Sequence, residues 1–296
     1  MIFYIIFLIF HFVALNGIPT QLSFTIPFTI TGLANKTTFF LTDAAKNQFV
    51  LKYHPRGPKR AIHDALGAYI GKSIGLSINE VEIFSAHHPF NQLFCEINPL
   101  NSSQIGITTL HSRVPGKAIR AIKKMDQEIA IKCGIRKEKT ITNLTEYREL
   151  CDIVAFDIFI DNTDRHNGNI FVDKKTGQFY IFDMDHGLKS AFTLAYTLHD
   201  YDFKTVATRT YNYVKTLTKR KLSVKNMQAL KRVQHILQLL SDLYPPTVLF
   251  EEWMAIAQKA EIMYTVREQE KIKKYLKYHA GQVERLILLL DKIITT

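Results

Sequence analysis

Residues 160–188 read IDNTDRHNGNIFVDKKTGQFYIFDMDHGL, and this stretch restricts what the chain can fold into more than any other. Asp164 is followed five positions later by Asn169. Further on, a strand-like run, Phe179–Phe182, ends in Asp183-Met184-Asp185-His186-Gly187. An aspartate on a loop, an amide at Asp-x-x-x-x-Asn spacing and a second acid just before a glycine are the groups that phosphoryl transfer needs. One carboxylate orients the attacking hydroxyl, and an amide and another carboxylate hold a magnesium ion that bridges nucleotide phosphates.

The elements around this stretch follow from periodicity. Gln21–Thr31, Thr37–Thr42 and Gln48–Tyr53 are rich in β-branched and aromatic residues and predict three strands, with a turn over Gly32–Lys36. Arg60–Ile74 predicts a helix with Ile62, Leu66, Tyr69, Ile70 and Ile74 on one side and Gly75 as its C-cap. Glu80–Ser85 and Ile105–Leu110 predict two more strands joined by a loop through Pro99–Ser103, and His111–Gly116 serves as a hinge. Strand–strand–strand–helix–strand–strand is the order of a kinase N-lobe. From Lys117 to Lys139 the chain is dense in Lys and Arg with few strand formers. Glu146–Ile160 predicts an amphipathic helix that delivers the chain to Asp164, and Ile170–Val172 with Phe179–Phe182 predicts a hairpin. The remainder predicts helices over Lys225–Leu243, Leu249–Tyr264 and Arg267–Ile294, the first two separated by Pro245-Pro246.

Asp164-Arg165-His166-Asn167-Gly168-Asn169 resembles the D-R-H-x-x-N catalytic loop of the phosphatidylinositol 3-/4-kinases. Asn162-Thr163-Asp164-Arg165-His166 is also similar to the N-T-D-R-H of HipA-type serine/threonine kinases and type II phosphatidylinositol 4-kinases, and Asp185-His186-Gly187 stands where kinases carry D-F-G. The resemblance is specific over residues 145–190, looser over the N-lobe and weak beyond residue 200. It implies an α+β, bilobal protein-kinase-like fold, with an antiparallel-sheet N-lobe over residues 18–112 and a mainly helical C-lobe over 113–296. It implies transfer of the ATP γ-phosphate to a hydroxyl of a phosphoinositide lipid or a protein. The alternatives are a HipA-like serine/threonine protein kinase or a non-catalytic kinase-like binding module. Carried over by position, Asp164 is the catalytic aspartate, and Arg165 and His166 complete the catalytic loop. Asn169 and Asp185 are the magnesium ligands, with Asp183 a rival to Asp185. Lys52, in Val50-Leu51-Lys52, resembles the strand lysine that neutralises nucleotide phosphates. Its helix partner is Asp64, because the helix offers no Glu. Gly32 is the one glycine of the turn that would cover the phosphates, and no G-x-G-x-x-G is present.

Charge and composition bound the partners. A net charge of +11 favours phosphates, anionic membrane surfaces or acidic partners. Neither C2H2 spacing nor an RRM-like motif points to a specific nucleic acid. Met1–Leu15 is apolar apart from His11 and Asn16-Gly17 follow, so residues 1–17 read as a signal peptide or hydrophobic leader, and the protein as exported or membrane-associated. Cys95, Cys133 and Cys151 form neither a metal motif nor a disulfide framework, and Cys151 and Trp253 read as core.

Overall fold

The structure is a computed structural model that describes residues 28–35, 37–54, 59–97, 106–118, 148–162, 165, 168–173, 175–188 and 224–295. The leader, Cys133, most of the basic stretch after Lys117, and the segment that follows Leu188 lie outside the described residues. Eight strands and six helices are found among those described. They fall into two compact units: the described residues of 1–65, 79–113 and 254–263, and those of 66–78, 114–253 and 264–296.

The first unit is built on a five-stranded antiparallel sheet in the order β1-β2-β3-β5-β4. The strands are β1 (Phe28–Asn35), β2 (Thr38–Asp43), β3 (Gln48–His54), β4 (Val81–Phe84) and β5 (Ile107–Ser112). The β2–β3 turn closes on Asp43, whose carboxylate accepts from the backbone and side-chain amides of Asn47 at 2.7 and 2.8 Å. Gly32 does not sit in the turn expected at 32–36. Two register shifts let β1 run on to Asn35, and Gly32 pairs with Phe40. A Cβ on Gly32 would come within 3.2 Å of the Phe40 ring. A bulged strand keeps its hydrogen bonds through an irregular sequence, which is why the glycine reads as a turn residue and is not one.

The two faces of this sheet differ because side chains alternate along a strand. Leu51 and Tyr53 of β3, Leu110 of β5, and Phe39 and Leu41 of β2 share one face. They form a core with Phe90, Leu93 and Phe94. Those three belong to a helix over Pro89–Ile97, α2, which the sequence reading did not predict. Pro89 at its first position and apolar residues at i, i+3 and i+4 are the signals for it. Phe94 is the centre, 4.6 Å from the Phe39 ring and stacked at 4.9 Å on Tyr53. Each such side chain contributes about 1.5–3 kcal/mol on full burial. The opposite face carries Lys52, His54, Thr109 and His111, with Lys52 directly across from Thr109.

Helix α1 (Lys59–Ser73) ends as expected at Gly75, which has φ +78°. Leu76 N donates to Gly71 O and Gly75 N to Lys72 O, both at 3.0 Å, a Schellman cap. Ile62, Leu66 and Ile70 are buried, but Tyr69 is 46% exposed. Its hydroxyl donates to Glu252 at 3.0 Å, so a polar tip overrides the apolar periodicity.

The second unit centres on α3 (Arg148–Phe159), the helix that leads to the loop. It is buried almost all round, including Asp157, where the sequence predicts one apolar face. Cys151 is a core residue, and burial pushes its thiol up to about 11. α3 packs on α4 (Val224–Leu243), which packs on α6 (Val266–Thr295). Arg232 of α4 grips Asp152 of α3 through Nε and Nη2 at 2.6 and 2.8 Å. α5 (Pro246–Lys259) starts at its second proline and carries the fully buried Trp253. A three-stranded antiparallel sheet joins β6 (Lys117–Ala118), β7 (Ile170–Val172) and β8 (Phe179–Ile181). β6 opens the stretch in which the sequence shows few strand formers, and it was not predicted. Gly116, at φ +93°, brings the chain so close that a Cβ would lie 2.2 Å from Val172 O. Among the described residues no helix is long and apolar enough to cross a membrane.

Candidate active site

Polar side chains gather at one place in each unit. In the first, α1 turns Asp64 toward the polar face of the sheet, where it is fully buried. Lys52 Nζ lies 3.3 Å from Asp64 Oδ2, so the partner expected for the strand lysine is in place. The lysine keeps 19% of its side chain exposed, and the aspartate none. A carboxylate this deeply buried needs more than one donor. His111 lies beside it, its Nε2 3.4 Å from the same oxygen. Thr109 Oγ1 sits 2.8 Å from His111 Nε2 and 3.0 Å from His54 Nε2. Asn79 Nδ2 reaches His111 Nδ1 at 2.9 Å. His54, Asn79, Thr109 and His111 were not among the sequence-based candidates. The signal was present in the period-2 alternation, which puts Lys52, His54, Thr109 and His111 on one face.

In the second unit, α3 ends in another Schellman cap. Asn162 N donates to Asp157 O at 2.8 Å and Asp161 N to Ile158 O at 3.2 Å, with Asp161 at φ +49°. Aspartate tolerates this left-handed conformation better than most residues. α6 holds the same corner from its own side. Tyr275 donates its hydroxyl to Asp161 Oδ2 at 2.9 Å, and His279 Nε2 lies 2.8 Å from Phe159 O.

Arg165 then gathers the loop. Its Nε and Nη2 donate to the buried Asp157 carboxylate at 2.9 and 3.0 Å, and Asn162 Nδ2 donates to the same group at 2.9 Å. Its Nη1 donates to the carbonyls of Asn169 and Phe182 at 3.2 and 2.7 Å, and Nη2 approaches Met184 Sδ at 3.6 Å. The guanidinium is thus enclosed, and Arg165 is only 7% exposed. Arg165 pairs with an acid, and that acid is Asp157. A lone carboxylate in the apolar run Val154–Phe159, eight residues before an arginine, is the signal that marked it.

Asn169, 4% exposed, lies just ahead of β7. The Asp-His-Gly segment follows β8 as a turn closed by Gly187 N donating to Met184 O at 2.8 Å. Leu188 N donates to Ile160 O at 2.6 Å, which returns the segment to the end of α3. Met184 is the buried residue between the two acids, and it packs against Gly67 of α1 so closely that a Cβ there would lie 2.7 Å from its own Cβ. Asp183 takes φ +65°. Asp185 keeps 16% of its side chain exposed, with His186 Nε2 at 3.7 Å from its Oδ1. Asp164 and His166 lie outside the described residues, between Asn162 and Gly168. The donors that remain are an amide and carboxylates. All are oxygen ligands and few in number, which fits magnesium, an ion that leaves most of its positions to phosphates and water.

Comparison with known proteins follows this geometry. The family model of HipA-like kinases matches residues 34–281. No curated protein matches significantly. Among solved structures, the chain is similar to HipA of Shewanella oneidensis MR-1, in a complex with HipB and operator DNA, at 11% identity and a TM-score of 0.50. The match covers 94% of this chain and 70% of that one. It is also similar to the Helicobacter pylori proinflammatory kinase CtkA at 12% identity and a TM-score of 0.46, covering 89% and 97%. A MAP kinase from Leishmania major, LmaMPK10, aligns at 10% identity and a TM-score of 0.37, covering 88% and 82%. The fold is therefore α+β and kinase-like. Of the two resemblances that the loop carries, the match supports HipA and not the phosphatidylinositol 3-/4-kinases. With its helix-borne aspartate for Lys52, its arginine-gathered loop and a family match over most of its length, this chain belongs to the HipA-like kinases.

Proposed function

We propose that the chain transfers the γ-phosphate of ATP to a hydroxyl of a protein. The observation that supports this best is the Arg165 guanidinium. It binds Asp157 behind it, and the Asn169 and Phe182 carbonyls in front. One side chain thereby ties the loop that carries the amide to the segment that carries Asp185. In this reading Asp164, next to the clamp in sequence, orients the attacking hydroxyl and accepts its proton. His166 stands near the transferred phosphate, and Arg165 positions both. Asn169 and Asp185 hold magnesium, which when bound neutralises charge on the phosphate oxygens. Lys52, steered by Asp64, meets the nucleotide phosphates. The turn after β1, downstream of Gly32, covers them.

Family membership favours a protein acceptor, and a phosphoinositide acceptor has only the loop resemblance behind it. Labelled ATP with magnesium, offered phosphoinositide vesicles in one arm and a protein lysate in the other, separates the two. Label is expected in protein with the wild type and lost with Asp164→Ala. Equal turnover by both proteins defeats the proposal, and label confined to lipid replaces its acceptor.

A further inference from the structure

We propose that His111 is a positioning residue for Lys52, acting through Asp64. The inference rests on the phosphotransfer reading, in which Lys52 contacts the nucleotide.

Asp64 offers a single oxygen, Oδ2, to both Lys52 Nζ at 3.3 Å and His111 Nε2 at 3.4 Å. The lysine is a flexible four-carbon arm whose ordering costs up to about 2 kcal/mol of rotamer entropy. A carboxylate held by that arm alone would share its freedom. His111 is a rigid ring on β5 with 4% of its side chain exposed, so it fixes the carboxylate from the sheet. The lysine then closes onto an acceptor that is already placed.

The surrounding hydrogen bonds determine which proton does this. The Asn79 amide donates to His111 Nδ1, which leaves the hydrogen of the neutral ring on Nε2. That N–H faces Thr109 Oγ1 at 2.8 Å and Asp64 Oδ2 together. Thr109 accepts from it and turns its own hydrogen to His54 Nε2 at 3.0 Å. The chain thus runs from Asn79 through His111 and Thr109 to His54, and Asn79 Oδ1 stays buried without a hydrogen-bond partner. Thr109 is also the residue opposite Lys52 in the β3–β5 ladder, so the same strand that holds the carboxylate sets the register of the lysine.

The decisive comparison is among His111→Leu, His111→Asn and His111→Gln. Glutamine places an N–H near the Nε2 position, whereas asparagine reaches only toward Nδ1 and leucine donates nothing. Calorimetric titration with ATP and magnesium, together with ATP turnover, reads the result. The leucine and asparagine variants are expected to weaken nucleotide binding and raise KM for ATP about tenfold, the worth of a hydrogen bond to a charged group. Their kcat stays close to wild type, and glutamine recovers most of the binding. Wild-type affinity in His111→Leu overturns the inference, as does an equal loss in all three variants. A second reading is taken on the wild type and survives any misfolding of the variants. Nitrogen-15 NMR of labelled histidines is expected to show His111 protonated at Nε2 and bare at Nδ1, and the opposite tautomer overturns the inference. A wild type that neither binds nor turns over ATP sinks the phosphotransfer reading itself, an outcome distinct from variant-specific loss.

Discussion

Arg165 and Asp157 form a buried ion pair whose value lies in what it gathers. Removing one member leaves the other charge uncompensated, so Arg165→Ala is expected to cost about 3–5 kcal/mol in urea unfolding. Replacing both, as Arg165→Met with Asp157→Leu, is expected to recover most of that stability without recovering ATP turnover. Recovery of both would show that the clamp serves the fold alone. Cys151 gives a pH test. Its folded pKa, about 11, lies above the ordinary thiol value, so the unfolded chain releases this proton first. The stability that the buried thiol contributes is therefore complete below its unfolded pKa and is lost as pH rises toward 11. Urea midpoints measured from pH 8 to 11 should fall more steeply in the wild type than in Cys151→Ala. At this scale the sequence was informative where a residue type has few uses. An aspartate on the helix opposite a strand lysine could be named from the sequence, as could an arginine beside Asp164. Asp157 and His111 were hidden because their roles depend on neighbours that only folding brings near.

Helix ends show how far local signals reach. α1, α3 and α5 all close with the same pair of backbone bonds, at Gly75, Asp161 and Glu261. Only the first could be read from the sequence, because glycine announces a left-handed residue and a glutamate does not. Glu261, exposed and at φ +57°, carries the strain for which glycine is normally used. Glu261→Gly is expected to stabilise the protein by about 1 kcal/mol, measured by urea unfolding. Asp161→Gly relieves similar strain but removes the acceptor for Tyr275, so it should gain less or lose stability. α6 opens with a capping box: Thr265 Oγ1 accepts from Glu268 N at 3.2 Å, and Glu268 Oε2 from Thr265 N at 3.0 Å. Thr265→Ala is expected to lower stability by about 1 kcal/mol. The strands of the first sheet were legible from alternation. α2 was not, because nine residues give too short a window to set its periodicity against the loop signals around it.

At the scale of the molecule, the sequence suggested a lobe boundary near residue 112, and the compact units are drawn differently. The first unit includes 254–263, and the second reclaims 66–78 from between two of its strands. A fragment cut at the boundary suggested by the sequence lacks part of the first unit and carries part of the second. Residues 18–112 expressed alone are expected to show no cooperative urea transition. A sharp one, with native-like near-ultraviolet dichroism, would mean that the sheet needs nothing downstream.

The interleaving of the two units also bears on how the chain is made. A ribosome releases the five strands first, and residues 254–263, which belong to the same unit, emerge long after the last of them. Until they emerge, the nascent sheet lacks a segment of its own unit.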